Sequence, residues 1–166
     1  MNDELTKVDI AQMKKELAHR QSLIPAQLAE VKRTREYGDL SENDEYRCAK
    51  RELGQNRSRI RYLQSMIRTA VVIDTSSAAD EVGLFDRVEV RFPDDGEQKV
   101  FRIVTTLRVD VFKDAVSKES PFGKALLGAH VGDVVQVQVN EQISYPVEVI
   151  SITKGTDDPD LPIRKY

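Results

Sequence analysis

Gly38-Asp39-Leu40-Ser41-Glu42-Asn43-Asp44-Glu45-Tyr46 separates two runs that share a seven-residue rhythm. Ahead of it, apolar residues recur at Ile10, Leu17, Ile24 and Val31; behind it they recur at Tyr46, Leu53, Ile60 and Ile67. Val31 with Tyr46, Ile24 with Leu53, Leu17 with Ile60 and Ile10 with Ile67 form pairs whose position numbers always sum to 77. Two helices folded back on one another between Gly38 and Asp39 would set each apolar residue opposite its partner. Heptad spacing on both arms is the pattern of a coiled-coil seam, and a glycine at the reversal suits a tight helix-to-helix turn. The stretch therefore predicts an antiparallel helical hairpin with carboxylates gathered at its tip.

Outward from the tip, the first arm runs from about Leu5 to Tyr37, with Met13 and Leu28 broadening its apolar stripe. Pro25 lies inside it and removes one backbone donor, which predicts a kink or a loosened turn. The second arm runs from Ser41 or Asn43 to Asp74, and Ala49, Asn56, Leu63 and Ala70 form its second seam row. A lone polar residue such as Asn56 in a seam fixes register. Arms of about 30 residues reach about 45 Å, far more than a compact unit of this size needs, so the hairpin is expected to reach something.

After Val71-Val72-Ile73-Asp74 the seven-residue rhythm stops, and small polar residues mark a boundary near Thr75–Ala79. The reading is 1–76 for the hairpin and 77–166 for a second domain. There the period is two. Val88, Val90 and Phe92 alternate with polar residues, Pro93-Asp94-Asp95-Gly96 is a turn, and further strands fall at 100–105, 135–139 and 145–153. Ser120 to Gly128 reads as one short helix, with Ser120 as N-cap, Pro121 in the first helical position and Gly128 closing it. The fold class is α+β: a hairpin followed by a small, mostly antiparallel sheet with one helix. The tail from about residue 154 is expected to be flexible.

The chain of 166 residues is 40% hydrophobic and 32% charged, with no Trp, which fits one or two small soluble domains and excludes an aromatic base-stacking platform. Its net charge of −3 points to no partner. Cys48 is the single cysteine, which rules out an internal disulfide and fits a reducing cytoplasm. No signal-peptide or membrane-spanning stretch is present, and the only histidines, His19 and His130, form no metal-ligand grouping.

Asp39, Glu42, Asp44 and Glu45 crowd the tip, with Glu36 just before them. Such carboxylates repel one another unless something offsets the cost. Two readings stand side by side. In the first, the acids serve the helix: Ser41 or Asp39 caps the second arm, Ser41 with Asp44 makes a capping-box pattern, and early acids suit the helix dipole. In the second, two carboxylates on a rigid probe hold a hard divalent cation, for which oxygen ligands are selected, in support of phosphodiester hydrolysis. Basic residues flank the tip: Lys32, Arg33 and Arg35 on one arm, Arg47, Lys50 and Arg51 on the other, with Arg57, Arg59, Arg61 and Arg68 further down. These are either solvated faces or phosphate contacts, with Lys50, Arg51 and Arg57 as a stripe on one side.

The stretch 38–46 resembles the G-D-L-x-E-N-x-E-Y tip of the Gre transcript-cleavage factors, the bacterial elongation factors GreA and GreB. Ser120-Pro121-Phe122-Gly123-Lys124-Ala125-Leu126-Leu127-Gly128, followed by Val131-Gly132-Asp133-Val134-Val135, is similar to the same family's S-P-x-x-x-A-L-x-G…G-D-x-V segment. Pro25 and the Val-Ile-Asp that ends the second arm fit as well, so the likeness runs from about Thr6 to Ile152. The resemblance implies an N-terminal coiled-coil hairpin and a C-terminal FKBP-like domain. It also implies a bacterial RNA polymerase partner, bound at the rim of the secondary channel, with the hairpin reaching the active site and the 3′ end of the nascent RNA. Asp39 and Glu42 would be donated to that site, holding a Mg²⁺ shared with the polymerase; no cofactor is expected on the free protein. The polymerase itself would cut, so the factor would not be an enzyme. Asn43, Asp44, Glu45 and Tyr46 would support the tip, and Lys50, Arg51 and Arg57 would touch RNA or polymerase. Asp110, Ser120 and Pro121 would dock. A cytoplasmic monomer without membrane association is expected.

The chain departs from the family pattern at two places. Asp44 stands where a small residue is usual, and Arg108-Val109-Asp110 replaces Glu-Ala-Asp, which reverses a charge beside the docking segment and bears on docking affinity, not on the fold. The alternative reading is a regulator of the same fold that binds the polymerase and inhibits it without stimulating cleavage. A third reading, a prolyl isomerase in the second domain, is weak: the domain has no Trp and few Phe or Tyr in suitable runs, and fold alone does not carry function.

Overall fold

The computed structural model describes residues 4–38, 43–158 and 162–163. Contacts divide the chain into two units, one of Ile10–Val71 and one of Glu4–Asp9 with Val72–Tyr166. The second unit thus claims the first turn of the first helix, whereas the sequence pattern assigns everything up to residue 76 to the hairpin. Leu5 explains this: it is 1% exposed, and its carbonyl accepts the Ile73 N–H at 3.0 Å within the second unit.

In the helical unit, α1 (Lys7–Arg35) and α2 (Asp44–Thr69) are the two arms. α1 continues through Pro25, which removes the N–H that would reach the carbonyl of residue 21. The neighbouring Arg20 carbonyl accepts Asn56 Nδ2 from α2 at 2.9 Å, and the same amide donates to Gln27 Oε1 at 2.8 Å. Asn56, 3% exposed, therefore ties α2 to α1 on both sides of the proline. Glu16 Oε1 and Oε2 accept Arg59 Nε and Nη2 at 2.9 and 3.1 Å, and Arg20 Nε reaches Oε1 at 2.7 Å. Thr34 with Asn43, Arg20 with Asn56 and Glu16 with Arg59 keep to the register the heptads predict, within two positions.

Burial along the seam is uneven. Ala49, Leu53, Asn56 and Leu63 of α2 are buried, but Ile10, Leu17, Ile24 and Val31 of α1 are only half-buried. Two helices alone cover one stripe each and leave its flanks to water. Leu28, expected to widen the stripe, is 44% exposed for that reason.

The second unit carries strands β3 (Arg87–Arg91), β4 (Gln98–Val104), β5 (Ala115–Ser117), β6 (Val134–Gln138) and β7 (Ser144–Thr153) in the order β5-β4-β3-β7-β6. Two-residue strands β1 (Glu4–Leu5) and β2 (Val71–Val72) precede them in the chain. All neighbours in the five-stranded sheet are antiparallel except β4 and β5, which run parallel. The sheet is therefore mostly antiparallel, as expected, with one parallel edge pair that the sequence does not signal. β5 has three residues, too few for a period to show.

Alternation works as read. Val88, Val90, Ile103, Val137, Val147 and Val149 are fully buried and pack with Leu126 of α3 (Pro121–Leu126). Ser120 Oγ accepts the Gly123 N–H at 3.0 Å and caps α3, with Pro121 at its start. Among the described residues no helix is long and apolar enough to cross a membrane.

Lys154, Gly155 and Thr156, where the flexible tail is expected to begin, are hydrogen-bonded to the sheet unit. Gly155 N–H donates to Asp86 Oδ1 at 2.9 Å, and Lys154 Nζ donates to Asp86 Oδ2 at 2.5 Å and to the carbonyls of Ala78 and Glu81. The Thr156 carbonyl accepts Arg102 Nη2 at 2.9 Å. A buried carboxylate at Asp86, 1% exposed, needs partners, and the tail supplies them.

Candidate functional site: the hairpin tip and its flanks

α1 ends in a tightened turn: the Glu36 and Tyr37 N–H groups donate to the carbonyls of Arg33 and Thr34. Gly38 follows at φ 104°, a left-handed conformation that favours glycine. α2 starts at a cap that differs from the one expected: its N-cap is Asn43, not Ser41 or Asp39. Asn43 Oδ1 accepts the Tyr46 N–H at 3.0 Å, and Asn43 Nδ2 donates to the Thr34 carbonyl at 2.6 Å. One side chain thus satisfies an orphan donor of α2 and an end carbonyl of α1. Asp39 and Glu42, the two acids singled out for metal, lie outside the described residues, with Leu40 and Ser41. Gly38 and Asn43 bracket those four positions.

Asp44 and Glu45 are exposed and each faces a cation. Arg47 Nη1 is 3.9 Å from Asp44 Oδ1, and Arg33 Nη2 of the other helix is 3.9 Å from Glu45 Oε2. Arg33 also holds Glu30, hydrogen-bonds the Tyr37 hydroxyl and lies over that ring at 5.2 Å. Its hydrogen bond to Glu30 drives its pKa up, and the same bond holds Glu30 below the usual carboxylate range. Lys50 Nζ lies 5.7 Å from the centre of the Tyr46 ring.

The basic stripe is redrawn. At about 100° per residue, Lys50 and Arg57 share one face of α2, joined by Arg61 and Arg68, and all four are exposed. Arg51 points about 100° away from Lys50 around the helix, so it is not in line with them. Arg59, grouped with these in the sequence, is 6% exposed and bound to Glu16. Among the described residues no cluster of three or more His, Cys, Asp or Glu is arranged to hold a metal.

In the sheet unit, Asp110 Oδ1 accepts the Phe112 N–H at 3.0 Å, and the Asp110 backbone pairs with Ala115. The turn that follows, Val111–Lys113, lifts Val111 and Phe112 to 81% and 100% exposure. Sequence reasoning passed over Phe112; its one signal was an aromatic between Asp110 and Lys113-Asp114 with no alternating pattern around it. Arg108 is the larger correction. It is 0% exposed and so is no part of a docking surface. Its Nε donates to Asp9 Oδ1 at 2.6 Å, its Nη1 to the Asp158 carbonyl at 3.1 Å, and its Nη2 lies 2.9 Å from Asp157 Oδ1. Asp9 Oδ2 also accepts the Thr6 N–H and the Thr105 hydroxyl at 2.9 and 3.2 Å. The reversed charge is neutralised internally.

Residues 4–72 match the family described as transcription elongation factor, N-terminal, and residues 77–154 the one described as transcription elongation factor, GreA/GreB, C-term. The chain belongs to the GreA/GreB family of transcription elongation factors. The transcription elongation factor GreA of Thermotoga petrophila is 42% identical over 135 residues, covering 81% of this chain and 86% of its own. GreA of Mesomycoplasma hyopneumoniae strain 7448 is 37% identical over 158 residues, covering 92% and 96%. The crystal structure of the GreA factor homolog 1 protein of Thermus thermophilus is 25% identical, covers 93% of this GreA/GreB-family chain and 100% of its own, and superposes with a TM-score of 0.44.

Proposed function

We propose that this GreA/GreB-family chain binds bacterial RNA polymerase through its secondary channel and stimulates the polymerase's own cleavage of backtracked RNA 3′ ends. In this reading it rescues arrested elongation complexes and is not an enzyme by itself. The observation that carries the reading is the Asn43 clasp: the last turn of α1 and the first turn of α2 are held in register, and only residues 39–42 separate the clasp from Gly38. A stretch so short, on arms cross-linked by Asn56 and Glu16–Arg59, suits the delivery of side chains to a fixed point.

Asp39 and Glu42 would hold the Mg²⁺ together with polymerase groups. Two carboxylates are a donor set that this hard cation accepts, with the rest of its shell left to water and phosphate. When bound, the ion supplies an activated water and charge neutralisation for phosphodiester hydrolysis. Asn43 fixes the start of α2, while Glu45 and Asp44, each turned to an arginine, add to the negative field there. Lys50 and Arg57, with Arg61 and Arg68, offer exposed cations to RNA phosphates. Val111 and Phe112, beside Asp110, offer an apolar contact for the channel rim, and Ser120 and Pro121 at the start of α3 are the further docking residues in this reading. Burial of Arg108 keeps its reversed charge off the surface, which supports docking.

The test adds the purified chain to stalled, backtracked polymerase. Short 3′ RNA fragments released in a Mg²⁺-dependent manner support the reading. Binding with slowed transcription and no fragments supports the inhibitor instead.

A further inference from the structure

β3 and β4 place Arg87 and Arg102 directly opposite one another across an antiparallel pair. Like charges in that position are destabilising, and nothing in the core requires the pair: the arginines stand on the face away from Val88 and Ile103. Arg102 is locked in place. Its Nε donates to the Phe85 carbonyl at 3.2 Å, its Nη2 to the Thr156 carbonyl at 2.9 Å, and its guanidinium lies 5.8 Å from the Phe85 ring centre. Its nearest carboxylate, Asp158, is 3.9 Å from Nη1, beyond hydrogen-bond reach. Among the described residues Arg87 makes no ion pair.

Beside the two arginines lies a cleft of about 280 Å³ lined by Arg87, Val100, Phe101, Arg102, Lys113 and Ala115. It has three cations and no carboxylate in its lining. Burial pulls the Arg102 pKa down; Asp158 opposes this, and Arg87 adds to it.

We propose that this cleft is an anion site for a phosphate group. An arginine fork matches phosphate oxygens two at a time; Arg87 offers that fork, Arg102, whose Nε and Nη2 already serve carbonyls, adds its charge, and Lys113 adds an ammonium. A carboxylate has two oxygens and one charge, too few for three cations. Val100, 49% exposed, leaves an apolar shoulder for whatever carries the phosphate. The site stands in the sheet unit and does not rest on the reading of the hairpin tip.

The full chain is titrated at low ionic strength, where screening is weak, with inorganic pyrophosphate, a nucleoside triphosphate and a single-stranded oligonucleotide in separate arms. Saturable binding is expected that weakens about tenfold in Arg87→Gln and again in Lys113→Gln, the weight of one charge-assisted hydrogen bond each. Lys124→Gln, on an exposed cation elsewhere, leaves it unchanged. Both cleft positions are exposed, so circular dichroism should show the variants folded. Sensitivity in the pyrophosphate and nucleotide arms marks a free phosphate compound as the ligand; sensitivity in the oligonucleotide arm alone marks a nucleic-acid backbone. Binding absent from every arm, or unaffected by both cleft substitutions, overturns the site.

Discussion

Asn43 Nδ2 donates to the Thr34 carbonyl at 2.6 Å while its Oδ1 accepts the Tyr46 N–H, so one amide closes the end of α1 and opens α2. Asn43→Ala removes the cap and the clasp together and should cost about 1–3 kcal/mol. Asn43→Asp keeps the acceptor and loses the donor, and should cost less. Urea unfolding of the full chain checks both; an Asn43→Asp variant as stable as the parent would show that the clasp to Thr34 adds nothing, and equal losses would show that the cap on Tyr46 adds nothing.

Arg108 is buried against Asp9 and Asp157. Arg108→Met leaves Asp9, 0% exposed, without its cation and should cost about 3–5 kcal/mol. Adding Asp9→Asn removes the stranded charge and should recover part of that loss. A denaturant-melt cycle of the two single variants and the double measures the coupling; additive losses would contradict the pair.

Glu16 sits below its ordinary value of 4.5, chiefly because Arg59 hydrogen-bonds it, with burial opposing and Arg20 assisting. A carboxylate depressed in the folded state adds stability that is complete above the unfolded-chain value. That stability is lost as pH falls through the folded value. Between about pH 5 and about pH 3 the parent should therefore lose more stability than Glu16→Gln. Denaturation midpoints across that range report the difference, and parallel curves would refute it.

Gly155 approaches Phe85 so closely that a Cβ there would lie 2.0 Å from the Phe85 carbonyl oxygen. Gly155→Ala must shift backbone and should destabilise the sheet unit by about 1–3 kcal/mol. A thermal melt indistinguishable from the parent would show the tail is loosely attached.

These contacts also mark what the sequence could express. The hairpin was legible because heptads are local and repeat: the arms, the reversal at Gly38 and the register all follow from spacing. The strands around Val88, Val90 and Val137 were legible by their period of two, and α3 by Ser120 and Pro121. Arg108 was not, because its partner Asp9 is 99 positions away, and neither residue advertises burial. The partners of Gly155 and Asp157 were hidden for the same reason; both look like linker until Asp86, Arg108 and Thr6 are brought to them. β5 hid in three residues. At the tip, the cap went to Asn43 over Ser41 because its amide both donates and accepts, which a hydroxyl in a capping box does not exploit across two helices. Arg51 was grouped with Lys50 by proximity in sequence, which a helix separates by about 100°.

The central claim is that Asp39 and Glu42 are carried by the hairpin into the polymerase's catalytic centre. The most direct measurement is fragment release from backtracked complexes by Asp39→Asn and Glu42→Gln, with polymerase binding measured in parallel. Loss of release at undiminished binding is the predicted result. Release at the parental rate in both variants would contradict it.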